Sequence, residues 1–417
     1  MRRRFLALAA AWLTTRALML VLLAFSGLPL LGGGAAAREV WHLYHHWYGV
    51  LADGAFPAQD PRWQYPPGAG PVLLSPALLP WLTYFQAFVV LTLLADAAVT
   101  AALARAGTRP GHSLRGAALW TGGLPLLLHV PLVRYDVQVT ALAVFSLLAT
   151  SRRPRAGGVF AALGALVKVW PALVLLGTPR GGVTRSAWTW AAATGALTVL
   201  LLSAVFADPL SFLRQQGRRG VQIESLGGTV LSFATHAGWP GTVGYRYGAL
   251  EFTGPHVRTV ADVSLVLTVV AFGLLALWRL RARHWTPATP YDAALSAVLL
   301  FTVTSRVISP QYMIWLLGLA AVCLTSRHTA QRPVVVLVVA ATAVSAVVYP
   351  LLYHEVQDRT WTGCALMLLR NGLLVAAAVL SFSRLWRASR PRPGNTAAGS
   401  EPEPGGDRLP QGVPSTS

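Results

Sequence analysis

The chain has few charged residues, two cysteines and a single lysine in 417 residues. Cys323 and Cys364 both fall in long apolar runs, so neither a disulfide nor a cysteine-based metal site is implied. Charged residues make up 12% of the sequence and hydrophobic residues 54%. Charged residues are about twice as frequent in soluble globular proteins, so the composition excludes that class and indicates a membrane protein.

Apolar runs of about 20 residues recur from end to end, and each is long enough to cross a bilayer as a helix. Only helices satisfy the backbone there, because no alternating strand pattern is present. The apolar stretch after Arg2 is too long for a signal peptide, so we predict an uncleaved first span. The predicted fold is all-α and polytopic, with about ten transmembrane helices and a re-entrant hairpin: 5–31, 72–103, 116–132, 137–150, the hairpin 157–178, 186–206, 259–280, 292–306, 311–325, 333–352 and 361–383.

The net charge of +19 does not indicate nucleic-acid binding. Most arginines lie in alternate connections between spans, as the positive-inside rule requires, rather than on one basic face. The acids collect in the remaining connections, which we place outside. Both termini are then cytoplasmic. We predict a membrane domain over 1–389 and a disordered cytoplasmic tail over 390–417, which is rich in Pro, Gly and Ser.

The segment 157–178 is flanked on both sides by arginines typical of cytoplasmic connections. A single crossing would invert every later loop, so we predict a hairpin that enters the membrane and returns, broken by Pro171. Its tip carries Lys168, the only lysine against 33 arginines. An ionisable group within the membrane indicates a functional site, although a snorkelling lysine at a helix end is the alternative.

The polar connection 32–71 is long, acidic and aromatic. A carboxylate can deprotonate a hydroxyl, and aromatic planes suit sugar rings, so a site is expected here. The candidate acids are Glu39, Asp53 and Asp60, and the candidate aromatic residues are Trp41, Tyr44, Trp63 and Tyr65. Glu39, His42 and His46 fall at helical spacing that could also hold a divalent metal, which is a weak alternative.

Three further segments assigned to the outer side carry polar candidates, each with a purely structural alternative. Arg134 and Asp136 lie in a very short connection, where they either contact substrate or form a local ion pair. The segment 207–258 and the start of the span at 311 are the other two, and their arginines could bind a phosphate in bidentate fashion. The candidate residues of the segment 207–258 are Arg214, Arg218, Arg219, Gln222, Glu224 and His236. Those near the start of the span at 311 are Arg306, Ser309, Gln311 and Tyr312. Within the spans, Asp96 requires a partner, for which Arg16 and Arg370 are candidates.

Several of these motifs occur in the order seen in one family. They read GAFP and WQYPPGA in the first connection, DA at Asp96, RYD at 134–136, KVWP at 168–171, RRGVQIESL at 218–226 and SPQYMIW at 309–315. Over residues 39–315 the chain resembles polyprenyl-phosphate-sugar-dependent glycosyltransferases of the GT-C superfamily, most closely glycosyltransferase family 87, the α-1,2-mannosyltransferase-like group. The resemblance implies a lipid-phosphate sugar donor and an inverting transfer whose base is the early acid of the first loop. That acid is Glu39, where relatives have Asp, so Asp53 and Asp60 remain rival bases.

The resulting hypothesis is a plasma-membrane glycosyltransferase with its site on the extracytoplasmic face. It moves a hexosyl group, expected to be mannosyl, from a polyprenyl-phosphate donor to a cell-envelope glycan or glycolipid acceptor, without a cofactor or metal. The alternatives are a lipid-linked-sugar flippase and a non-catalytic scaffold. The donor phosphate is assigned to Lys168, Arg218, Arg219 and Arg306. The sugar and acceptor are assigned to Trp41, Tyr44, Trp63, Tyr65, Arg134, Asp136, Gln222, Glu224, Gln311 and Tyr312.

Overall fold

A computed structural model of the protein describes residues 2–58, 60–206, 208–213 and 219–390. Helices account for 73% of it and strands for 4%, which confirms the predicted all-α membrane fold. Most of the predicted tail lies outside the described residues, as does Arg218.

Six helices in the described part are long and apolar enough to cross a membrane. They are Arg2–Ala24, Tyr84–Gly107, Gly182–Val205, Val257–Arg281, Arg332–Leu351 and Trp361–Ala388. Shorter helices cover Ala35–Arg38, His45–Ala52, Ala69–Leu74, Arg115–Gly123, Asp136–Thr150, Pro154–Val167, Leu226–His236, Thr289–Thr304, Tyr312–Thr325 and Tyr353–Gln357. Turns of 3-10 helix cover Pro29–Leu31, Ser75–Leu78, Leu124–Leu127, Val130–Val133 and Trp170–Gly177, and π-helix covers Glu39–Tyr44 and Val347–Leu351.

Three predicted spans have wrong boundaries. The helix of the span expected over 116–132 ends at Gly123, and two 3-10 turns follow it. The span expected over 72–103 is interrupted, because the 3-10 turn Ser75–Leu78 is followed by Pro80 and the next helix begins at Tyr84. Thr83 caps that helix by accepting from the backbone N–H of Gln86, whose side chain binds back to Thr83. The span expected over 5–31 ends as regular helix at Ala24, ahead of the 3-10 turn at Pro29.

The two long connections are more structured than a loop. Residues 35–52 of the first form nearly continuous helix, with the π-helical stretch Glu39–Tyr44 in its middle. The second contains a three-stranded antiparallel sheet in the order β1-β3-β2, with β1 at Val221–Gln222, β2 at Thr242–Arg246 and β3 at Ala249–Thr253. The prediction of an external loop over 207–258 therefore missed a small sheet.

The hairpin at 157–178 is present as a helix, a break and a return. The helix Pro154–Val167 ends where Lys168 turns extended, and the 3-10 turn Trp170–Gly177 runs back beside it. Gly164 permits this close approach, since a Cβ there would lie 2.9 Å from the Cβ of Pro171. Both ends of the hairpin meet the start of the helix Gly182–Val205: Gly158 packs on Ala187, and Thr178 bonds Thr184 at 3.0 Å. The chain thus leaves on the side from which it entered.

The buried carboxylate of Asp96 has Arg16 as its partner. Arg16 Nε and Nη2 each donate to it at 2.7 Å, and the indoles of Trp12 and Trp120 also donate at 2.7 Å. Four hydrogen bonds satisfy the charge within the apolar helix bundle. Arg370, the other predicted partner, is engaged elsewhere.

Candidate active site

A cavity of about 1220 Å³ opens among both long connections, the hairpin tip and the segment that follows Thr304. These elements are far apart in sequence, and the cavity is where they converge. It brings together ten of the predicted site residues: Glu39, Tyr65, Arg134, Lys168, Arg219, Gln222, Glu224, Arg306, Gln311 and Tyr312.

The other predicted residues within the described ranges do not line this cavity. Asp53 is exposed at the end of the helix His45–Ala52. Asp60 accepts from Arg62 at 2.8 Å and from Trp47 at 3.2 Å. Partial burial raises the pKa of Asp60, but these hydrogen bonds outweigh it, so the pKa lies below its ordinary value. Asp60 is therefore held as a bound carboxylate outside the cavity.

The remaining aromatic candidates serve packing. Trp41 is half exposed and stacks on Phe85 with ring centres 4.9 Å apart. Tyr44 and Trp63 are each 1% exposed and lie beneath the cavity. Of the aromatic residues predicted in the first connection, Tyr65 alone lines the cavity in the described structure.

Glu39 is presented to the cavity by the π-helical stretch, which begins at this residue. A π-helix inserts an extra residue per turn and is often found at functional sites. Arg134 Nη2 lies 2.6 Å from Glu39 Oε2, and the guanidinium is fixed from behind by the carbonyls of Val133 at 3.0 Å and Ala36 at 3.3 Å. The Glu39 side chain remains 27% exposed, whereas that of Arg134 is 7% exposed. The carboxylate is thus both oriented and accessible.

Lys168 lies in a cage of aromatic rings at the cavity wall. Its Nζ is 4.8 Å from the ring centre of Tyr135, 5.2 Å from that of Trp315 and 5.9 Å from that of Tyr65. Asp136, fully buried, accepts from Lys168 Nζ at 2.7 Å and from the Trp315 indole at 2.5 Å. The Lys168 side chain is 13% exposed, and its ammonium is therefore held at a defined point in the cavity wall.

Two arginines, Arg219 and Arg306, also line the cavity. Arg219 pairs with Glu251 at 3.0 Å, and Arg306 Nη1 donates to the carbonyl of Arg219 at 3.1 Å. The pKa of Arg306 is lowered, first by burial and then by the positive charge of Arg219. Two positive charges that act on each other in one cavity form a favourable setting for an anion.

Gln222 and Glu224 hold the cavity wall together. Gln222 Oε1 accepts from the backbone N–H of Ile308 at 2.8 Å, and its Nε2 donates to Ser309 at 3.3 Å. Glu224 receives Arg370 Nη1 at 2.8 Å. Burial raises the pKa of Glu224, against the opposing charge of Arg370. Both side chains are at most 3% exposed, so their contacts with the chain dominate.

Several residues of the cavity were not predicted as site residues. Trp315, which stacks under Tyr312 with ring centres 3.8 Å apart, was visible as the last letter of the SPQYMIW motif. Others lie on elements whose positions depend on tertiary packing: Arg38, Arg62, Tyr245, Tyr247, Tyr349, Tyr353 and His354. His42 and His46 also line the cavity, yet the described residues hold no group of three His, Cys, Asp or Glu side chains suited to a metal.

Comparison with known families agrees with this arrangement. The model of glycosyltransferase family 87 matches residues 63–310, more than half of the chain. The match includes Lys168, Arg219 and Arg306 and begins after Glu39. No curated protein matches the chain. The cavity, the membrane helices and the family match agree: the chain belongs to glycosyltransferase family 87 and is a membrane glycosyltransferase.

Proposed function

We propose that the protein transfers a mannosyl group, with inversion, from a polyprenyl-phosphate donor to a glycan or glycolipid acceptor of the cell envelope. The reaction takes place at the extracytoplasmic face of the plasma membrane. The placement rests on the arginine distribution, because the cavity is built from the connections that carry most of the acids.

One observation carries the choice of Glu39 as the base. Two carboxylates line the cavity within the described residues, Glu39 and Glu224. The Glu39 side chain is 27% exposed, whereas that of Glu224 is 3% exposed and paired with Arg370. A base must reach a hydroxyl of a bound substrate, so Glu39 is the one placed for it. Asp53 and Asp60 lie outside the cavity and are the weaker candidates.

The step is a single displacement. The acceptor oxygen attacks the anomeric carbon while a Glu39 oxygen takes the hydroxyl proton. The bond from the anomeric carbon to the phosphate oxygen breaks, and its electron pair leaves with the polyprenyl phosphate. A general base of this kind contributes about 10²–10⁴-fold to the rate.

The departing phosphate gains negative charge and requires cations in place beforehand. Lys168, Arg219 and Arg306, which all line the cavity, supply them. Arg218 was assigned to the same role and lies outside the described residues. Fixed cations in a partly dry cavity stabilise developing charge more strongly than water does.

The test is transfer from radiolabelled polyprenyl-phosphate mannose to endogenous acceptors in membranes that contain the protein. Wild type, Asp53→Asn and Asp60→Asn should form labelled product, and Glu39→Gln should lose it by at least about 10²-fold. Gel filtration in detergent confirms that each variant is present in the same amount of folded protein.

Product from Glu39→Gln at the wild-type rate would contradict Glu39 as the base. If Asp53→Asn or Asp60→Asn were the inactive variant instead, the base would move to that residue. Binding of the lipid donor without product in wild-type membranes would favour a flippase and contradict the transfer itself.

A further inference from the structure

The β2–β3 hairpin ends over the cavity in a two-residue turn. Arg246 pairs with Ala249, which leaves Tyr247 and Gly248 at the tip with φ values of 51° and 77°. Positive φ at both central residues is the mark of a type I′ turn. Residues Tyr245 and Tyr247–Leu250 all line the cavity, so the hairpin tip, defined here as 245–250, forms part of its wall.

Tyr247 is an unusual residue for its position. The first central residue of a type I′ turn is normally Asn, Asp or Gly, because a larger side chain at positive φ is strained. Outliers of this kind indicate a functional role when they occur in a cavity wall. An aromatic ring is therefore kept at the tip where a smaller residue would fit the backbone better.

Tyr245 is exposed where its neighbours on the same face are not. Side chains alternate along a strand, so Val243 and Tyr245 share a face with their partners Phe252 and Leu250. Phe252 is 1% exposed, which shows that this face packs on the protein. Tyr245, two residues further out, is 63% exposed and lines the cavity. The face thus ends in an aromatic ring that the fold leaves uncovered.

The turn approaches a second polar group from the first connection. A Cβ on Gly248 would lie 3.8 Å from the backbone oxygen of Arg62. The Arg62 side chain lines the cavity, is 44% exposed and is oriented by Asp60 at 2.8 Å. The charges of Glu39 and Arg62 both act on the Tyr245 phenol. The hairpin tip is therefore near the proposed base.

We infer that Tyr245 and Tyr247, with Arg62, form the subsite that binds the sugar ring of the acceptor. This inference rests on the proposed function. Tyrosine offers a flat apolar face with a polar edge, and a guanidinium offers planar hydrogen-bond donors, which together suit the faces and hydroxyls of a pyranose.

The hairpin is also tied to the wall assigned to the donor phosphate. Glu251 of β3 binds Arg219 Nε and the backbone N–H of Gly220, each at 3.0 Å. This pair fixes the tip relative to the cations. An acceptor on the hairpin tip would accordingly meet the donor within one rigid cavity.

The test measures sugar binding without turnover. Saturation-transfer NMR on the protein in nanodiscs gives dissociation constants for methyl α-D-mannoside and octyl α-D-mannoside, which separate a soluble sugar from a glycolipid. Tyr245→Thr removes the ring and keeps a strand-favouring residue, and Tyr247→Asn removes the ring and fits the turn. Tyr245→Phe retains the ring as a matched control.

Tyr245→Thr and Tyr247→Asn should each weaken binding of both mannosides by about tenfold, and Tyr245→Phe by less than about threefold. In both compounds, the sugar protons should receive saturation from the protein. A loss confined to the octyl compound would overturn the inference, since the alkyl chain would then occupy the hairpin tip. Unchanged binding in both ring-deleted variants, or no saturable binding by wild type, would also overturn it.

A failure of the proposed function would give a different experimental result. In that case wild type would bind both mannosides through the hairpin tip and yet form no product from polyprenyl-phosphate mannose. Failure of the acceptor subsite alone would leave transfer intact, with the acceptor KM of Tyr245→Thr equal to that of wild type.

Discussion

Arg134 Nη2 lies 2.6 Å from Glu39 Oε2, so a buried arginine of one connection holds the accessible carboxylate of another. The sequence placed these residues in separate candidate groups. Their pairing gives the carboxylate a fixed direction, because the guanidinium is itself held by the carbonyls of Val133 and Ala36.

Replacing Arg134 should therefore slow transfer. In Arg134→Met the Glu39 carboxylate loses the contact that orients it, so the maximal rate should fall by about tenfold or more. Transfer rates at saturating donor check this, with Arg38→Met as the control from the same cavity. Equal rates for wild type and Arg134→Met would contradict a role in holding the base.

Lys168 offers a direct chemical test because it is the only lysine. In this chain, an amine-reactive reagent can modify only Lys168 and the α-amino group. Modification of Lys168, read by mass spectrometry, should slow several-fold when polyprenyl-phosphate mannose is bound, since the ammonium is then covered by the phosphate. The α-amino group is the internal control. Equal labelling with and without the donor would remove Lys168 from the phosphate site.

The Arg16–Asp96 pair should stabilise the helix bundle only as a pair. Arg16→Leu or Asp96→Leu alone should each cost about 3 kcal/mol of unfolding free energy, because the remaining charge stays buried without its partner. The double variant should cost clearly less than the sum of the two. Unfolding in mixed micelles supplies the numbers. Additive losses in the double variant would show that the two charges are not coupled.

Asp60 should make the protein less stable in acid. Its pKa is lower in the folded protein than in the unfolded chain, so its contribution is complete above the unfolded value of about 4 and is lost as pH falls through the folded value. The difference in Tm between wild type and Asp60→Asn should therefore shrink from pH 7 to pH 3. Asp53→Asn, whose carboxylate is exposed, is the matched control. A constant difference in Tm across this range would contradict the linkage.

The predicted fold followed from features that act locally. Apolar runs require helices in a bilayer, and Pro171 between arginine-flanked ends required a return, as observed. The interrupted span at Ser75–Leu78 and the strands β2 and β3 were missed. An apolar run does not reveal where the helix within it is interrupted. The two-residue turn of Tyr247 and Gly248 lacks the Asn-Gly pair that usually marks such a turn.

The candidate site divides in the same way. The sequence alone identified Glu39, Lys168, Arg219 and Arg306 as candidates. A charged group in or beside an apolar segment is energetically costly, so its presence indicates a function. The sequence left Asp53 and Asp60 as equal rivals and offered Asp96 two possible arginines.

The amino-acid sequence by itself determined the membrane fold, the re-entrant hairpin and the residue types available for the chemistry, since each depends on the solvation of nearby groups. Only the tertiary structure decided which groups meet: Glu39 pairs with Arg134, Lys168 pairs with Asp136, and Tyr245 and Arg62 line the same cavity. The physical reason is that such contacts join segments far apart in the chain. Their distances are set by helix packing and by the turn of one hairpin, which no local pattern encodes.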